Sequence, residues 1–215
     1  MPSSGPLSSF EFLLRGGFMM YPLLLSALVA LAVIIERVIM MHKKFSSRPG
    51  ESRELIQLAR QGNLKAALAN AEKLETPVAS VLAAGLRDES APIEEVEIAM
   101  QNQAELWVPQ MEKRLEVLDT IITAAPLMGL LGTITGMMSS FQVLSEKGVN
   151  EPHAITGGVA EALIATATGL VIALFCLFAF NYFNNKVKML IFEMESAAAQ
   201  LIEARRLLIR VKVKA

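Results

Sequence analysis

Glu161 is the only charged residue between positions 156 and 185, a run otherwise built of apolar side chains with Gly, Ala, Thr and Asn among them. A carboxylate at the centre of a lipid-embedded helix costs about 3 kcal/mol on insertion scales, so such a group faces a protein interface or an aqueous path. At 100° per residue, Ala165, Thr168 and Ile172 fall within about 40° of Glu161, so the carboxylate lies along a face containing small residues. Two chemistries fit this placement. Glu161 is either a buried carboxyl bonded to a hydroxyl or backbone group for packing alone, or an ionisable group on an ion path. The ion path is the expectation taken forward, because ionisable residues inside membrane helices mark such routes.

Small residues supply the second pattern. Between 120 and 145, Gly129, Gly132, Thr133, Gly136 and Ser140 recur three or four residues apart. Gly132 to Gly136 is a Gly-x-x-x-Gly step that lets helix backbones approach closely. The third run repeats the property with Gly157, Gly158, Ala165, Gly169 and Ala173. Helix packing is therefore expected at Gly129, Gly132, Gly136 and Gly169. Nothing resembles a catalytic triad, a phosphate loop or a metal cluster, so neither an enzyme nor a metal or cofactor site is expected. The single cysteine, Cys176, rules out a disulfide within one chain. His42 and His153 lie far apart in sequence and are read as structural.

These groups need elements to hold them, and the composition says which kind. The chain has 215 residues, 53% hydrophobic and only 6% aromatic. Its mean hydropathy of +0.44 is that of a membrane protein. A formal charge of −1 gives no global attraction for nucleic acid. Three uncharged runs, 16–35, 120–145 and 162–185, are long enough to cross a bilayer as helices. The first is too long, and too poor in preceding basic residues, for a cleaved signal peptide.

Basic residues set the orientation. His42, Lys43, Lys44, Arg48 and Arg53 follow the first span, whereas only Arg15 precedes it and only Lys147 lies between the other two. The expected layout is an outer segment over 1–17, a span over 18–41, a cytoplasmic helical region over 42–119, a span over 120–145, an outer loop over 146–155, a span over 156–183 and a cytoplasmic C-terminal helix over 184–215. The fold class is all-α integral membrane, with the second and third of three transmembrane helices extended into a helical cytoplasmic domain.

Local signals fill in that domain. Residues 7–14 form a short amphipathic piece or a disordered tail ahead of Gly16-Gly17. Glu36 and Arg37 read as an interfacial pair, with Arg37 snorkelling towards headgroups. Ser52 is expected to cap a helix closed by Gly62-Asn63, a second helix covers 64–73, and Thr76-Pro77 opens a third. Ala91-Pro92 starts a long helix that runs into the second span with a kink at Pro109. Arg205, Arg206, Arg210, Lys212 and Lys214 form a basic end, either a solvated helix face or a surface for anionic lipid.

The run Ala125-Pro126-Leu127-Met128-Gly129-Leu130-Leu131-Gly132-Thr133, followed by Gly158-Val159-Ala160-Glu161-Ala162-Leu163-Ile164-Ala165-Thr166-Ala167, resembles the MotA/TolQ/ExbB proton-channel family in its ExbB and TolQ branch. Met20-Tyr21-Pro22 and Ile35-Glu36-Arg37 extend the likeness into the first span. Flagellar MotA proteins are usually longer, with four spans, and lack the equivalent glutamate. The resemblance implies a homopentamer in the bacterial inner membrane, N-terminus periplasmic and C-terminus cytoplasmic, around a dimer of one-span ExbD- or TolR-like helices. It also implies a TonB- or TolA-like protein driven by the proton motive force. Carried over by motif, Thr133, Glu161 and Thr166 line or flank the proton route. Thr166 lies about 140° from Glu161 on a regular helix, so the two cannot point the same way. Thr168 departs from the aliphatic residue common in the family and either adds a pore hydroxyl or bonds its own helix. The alternatives are a stator of a gliding or related motor, and a non-conducting scaffold.

Overall fold

The computed structural model describes residues 16–43, 45, 50–147 and 152–214. The amphipathic piece expected over 7–14, Arg15, Lys44, Arg48 and the side chains of Lys147, His153, Lys212 and Lys214 lie outside the described residues. The elements are α1 (Met20–Lys43), α2 (Glu51–Arg60), α3 (Leu64–Glu72), α4 (Pro77–Leu86), α5 (Ile93–Glu112), α6 (Leu115–Lys147) and α7 (Pro152–Lys214). Among the described residues there is no strand. Three stretches, Met20–Lys43, Ile93–Glu146 and Thr156–Arg210, are long and apolar enough to cross a membrane. Helix covers both ends of the loop expected over 146–155, since α6 runs to Lys147 and α7 begins at Pro152.

The chain divides into two compact units. The apolar unit holds the residues up to Ile35 with Arg114–Tyr182, and the polar unit holds Glu36–Lys113 with Phe183–Ala215.

In the apolar unit, α6 and α7 meet along their small residues. A Cβ at Gly129 would lie 3.0 Å from Thr166 Cα, one at Gly132 2.5 Å from Ala165 Cβ, and one at Gly136 2.8 Å from the Gly158 carbonyl oxygen. Gly169 lies directly on the Ala125 carbonyl oxygen. The glycines thus join helices of the same chain, with backbone against backbone. Away from this seam, Leu127, Met138, Leu163 and Phe175 are each more than half exposed, which suits hydrocarbon or other apolar helices rather than water.

The polar unit is built from short capped helices. Thr76 accepts from Ala79 N–H at 3.3 Å and Pro77 follows it, the expected opening of α4. Gly62 and Asn63 close α2 by donating N–H to the Ala59 and Leu58 carbonyls, at 3.0 and 3.1 Å. At the other end of α2 the N-cap is Gly50, not Ser52, and no side chain caps it. Glu51, one residue on, accepts from the Thr76 hydroxyl instead. α4 is buried on nearly every side and packs against α2, α3 and α5.

Two arginines depart from expectation. Arg37 is no solvated anchor: it is fully buried, and Nη1 donates to the carbonyls of Gln110 and Met111 at 3.4 and 3.1 Å. Those are orphan acceptors in the last turn of α5, where a cation also suits the helix dipole. Arg205 is likewise buried rather than part of a basic surface. Its Nη1 donates to Gly85 O at 2.7 Å, and Nη2 to Glu89 O and Ala91 O at 3.1 and 3.4 Å. Arg205 therefore caps α4 and holds the loop that leads to α5.

The long helix expected to run into the second span is instead broken after α5. The proline sits inside α5, and the helix ends four residues later at Lys113, followed by Arg114 with φ 64°. A continued helix would need the Gln110 and Met111 carbonyls for its next two N–H groups. With the helix broken there, Arg37 donates to them instead.

Candidate functional site

α7 passes through the apolar unit with a different neighbour on each side. Glu161 is half-buried and its carboxylate rests on the Cα of Gly17, in the turn that opens α1. That turn is closed by Met20 N–H donating to Gly17 O at 3.0 Å and Tyr21 N–H to Phe18 O at 3.3 Å. One helical turn along α7, Ile164 Cγ2 would lie 3.1 Å from a Cβ on Gly16. On the side facing α6, Ala165 packs on Gly132, and Thr166 Oγ1 donates to Gly129 O at 3.0 Å. The 140° between Glu161 and Thr166 is thus used by two neighbours: Glu161 meets the entry to α1, and Thr166 meets α6.

The hydroxyls are arranged differently from the carried-over pattern. Among the described residues no hydrogen bond joins Glu161 to Thr133, Thr166 or Thr168. Each threonine gives its single proton to a carbonyl: Thr133 to Leu130 O at 2.7 Å, Thr166 to Gly129 O, and Thr168 to Ile164 O at 2.8 Å. Of the two roles considered for Thr168, the one drawn is the bond to its own helix. Each hydroxyl oxygen still keeps lone pairs that can accept from a protonated carboxyl or from water. Ser140, buried beside Gly158, donates to Gly136 O at 3.0 Å and closes the same seam further along.

Sequence reading missed Gly17 as a contact of Glu161. The available signal was two consecutive glycines just ahead of a membrane helix, where a helix former would otherwise be favoured. It also missed Arg37 and Arg205 as internal caps. Arg37 follows Ala30 and Val33 at helical spacing, and Arg205 follows Leu201 by four residues, so both continue buried stripes.

Residues 73–196 match the MotA/TolQ/ExbB proton channel family. The putative biopolymer transport protein ExbB-like 3 of Synechocystis is 32% identical over 174 residues, which is 80% of this chain and 83% of that relative. TolQ of the Tol-Pal system of Pseudomonas aeruginosa is 36% identical over 104 residues, 48% of this chain and 45% of that protein. The solved structure of MotAB from C. jejuni shares the fold, with a TM-score of 0.60 at 20% identity over 90% of this chain and 76% of that one. The apolar helices and the extent of these matches together assign the chain to the MotA/TolQ/ExbB proton channel family, in its ExbB/TolQ branch, as a multi-pass inner-membrane protein.

Proposed function

We propose that this chain is a proton-conducting subunit of an inner-membrane motor that energises a TonB- or TolA-type partner across the envelope. The observation that carries the reading is Glu161: a titratable group held inside the apolar unit at a defined contact, with acceptor oxygens on the same helix and on α6. On this reading five copies surround a dimer of one-span ExbD- or TolR-like helices, with Thr133 and Thr166 flanking the route. The N-terminus is periplasmic and the C-terminus cytoplasmic. Each proton crossing 100 mV releases about 2.3 kcal/mol, so work on a partner needs repeated passages coupled to discrete rearrangements.

The test is Glu161→Gln, which preserves shape but removes titration. Proton influx into vesicles holding the complex with its one-span partner should fall to background while the oligomer mass stays that of wild type. Wild-type flux in this variant would leave Glu161 a packing residue and favour a non-conducting scaffold.

A further inference from the structure

We propose that Gly17 is the positioning residue for the Glu161 carboxylate, an inference that rests on the proton-path reading of Glu161. The backbone at Gly17 has φ 73°, where side chains of L residues are rarely found. The space beside its Cα is occupied: a Cβ there would overlap Glu161 Oε1 and come within 2.8 Å of Glu161 Cγ. The carboxylate therefore fills the volume that any other residue at position 17 would claim.

The fit extends over two residues and fixes a register. Gly16 is buried against Met20 and Ile164, with a Cβ there 2.5 Å from Met20 Cγ and 3.1 Å from Ile164 Cγ2. Glu161 and Ile164 are three residues apart on α7, on neighbouring positions of one face. The glycine pair thus receives two successive side chains of that face, Ile164 at Gly16 and Glu161 at Gly17. The bond from Met20 N–H to Gly17 O holds this socket at the start of α1. The carboxylate so seated lies against the entry to α1, and a methyl at position 17 would displace it from there.

The experiment compares five variants in the full complex with its one-span partner, with flux expressed per assembled oligomer. Gly17→Ala should lower proton influx about a hundredfold, the penalty typical of a reacting group displaced by about 1 Å. Gly50→Ala controls for backbone strain, since Gly50 has φ 89° with nothing within 4 Å of its would-be Cβ. It should leave flux at the wild-type level. Gly17→Ala combined with Glu161→Asp shortens the acid by one methylene and makes room, so flux should recover to that of Glu161→Asp alone. Non-additivity of that kind marks a direct contact.

Glu161→Gln separates the two claims. Wild-type flux in it sinks the proton-path reading itself. Background flux in Glu161→Gln with wild-type flux in Gly17→Ala sinks only the role of Gly17. If Gly17→Ala fails to assemble, the double variant decides: recovered assembly and flux support the socket, and continued failure beside a normal Gly50→Ala makes Gly17 a folding residue only and overturns the proposal.

Discussion

In the apolar unit the helices meet where side chains are missing, at Gly129, Gly132, Gly136 and Gly169, whereas the joints of the polar unit are made by two of the longest side chains, Arg37 and Arg205. The difference follows from the surroundings each unit is built for. Lipid tails are as apolar as leucine, so burying leucine between membrane helices gains little, and association relies on close backbone contact. The polar unit has an ordinary core of Leu82, Leu86, Met100, Met194 and Leu201. What it lacks is a way to satisfy carbonyls at the buried ends of short helices, and a guanidinium offers several donors to that end. One unit is thus intolerant of added volume, and the other of lost donors.

The largest expected effect comes from making the same change in both. Gly169→Ala and Gly85→Ala each gain up to about 1 kcal/mol in helix propensity. At Gly169 the new methyl meets the Ala125 backbone carbonyl, which cannot move without displacing α6. At Gly85 it would meet Met100 Sδ at 2.6 Å and Cγ at 2.9 Å, a flexible thioether able to take another rotamer. Overpacking costs about 1–3 kcal/mol, and the upper end applies where backbone is the obstacle, so Gly169→Ala should lose roughly 2 kcal/mol net. Gly85→Ala should stay within about 1 kcal/mol of wild type. Denaturant titration in detergent, followed by helicity, compares them; equal stabilities would mean that the glycine seam does not limit the apolar unit.

The arginines give a smaller and unequal pair. Arg205 distributes its donors over three carbonyls, whereas Arg37 serves both of its carbonyls from Nη1 and leaves Nε and Nη2 buried without a partner. Burial also holds the Arg205 guanidinium below its ordinary pKa, with the nearby Asp88 and Glu89 charges opposing the shift. Removing Arg37 also removes the desolvation cost of its two unpartnered nitrogens, which offsets part of the loss of its two bonds. Arg205→Met should therefore cost about 1.5 kcal/mol, and Arg37→Met about half of that or less. A larger loss at Arg37, by thermal unfolding of both variants, would show that the two unpartnered nitrogens do not weaken its contribution.

The same contrast explains what could be read in the sequence. Thr76-Pro77 and Gly62-Asn63 were legible as helix ends because the donors and acceptors that make them lie within five residues. The three spans were legible because lipid leaves few alternatives to a long apolar helix. The break at Lys113 and Arg114 was not, since the donor that satisfies the freed carbonyls lies more than seventy residues upstream. Arg37 and Arg205 were misread for a related reason: at the end of an apolar run, a charge looks like surface unless its acceptors are known. Glu161 stood out as the one charge in its run. The socket at Gly17 stayed hidden because it depends on which segments of the chain lie side by side.

The smallest effect concerns the loop that Arg205 holds from outside and Asp88 holds from within. Asp88 Oδ1 accepts from Ser90 Oγ at 2.7 Å, Ser90 N–H at 2.8 Å and Ala91 N–H at 3.1 Å. The Ser90 hydroxyl first, then the Ser90 N–H, and least of all the Arg205 charge, hold the Asp88 carboxyl below its usual 3.8. A carboxylate with a depressed folded pKa adds stability that is fully present above its unfolded value, about 3.9, and is lost as pH falls through the folded one. Asp88→Asn keeps an acceptor in place but removes the charge, so wild type should be slightly the more stable at neutral pH. The gap should narrow below about pH 4 and close once the acid is protonated. Both proteins share every other titrating group, so the difference between their melting temperatures isolates this one. Exposure keeps the effect well under that of Arg205→Met, and in an Arg205→Met background the gap should shrink further because one of its electrostatic sources is gone. A gap that persists unchanged into acid would show that the Asn variant differs through turn geometry rather than charge.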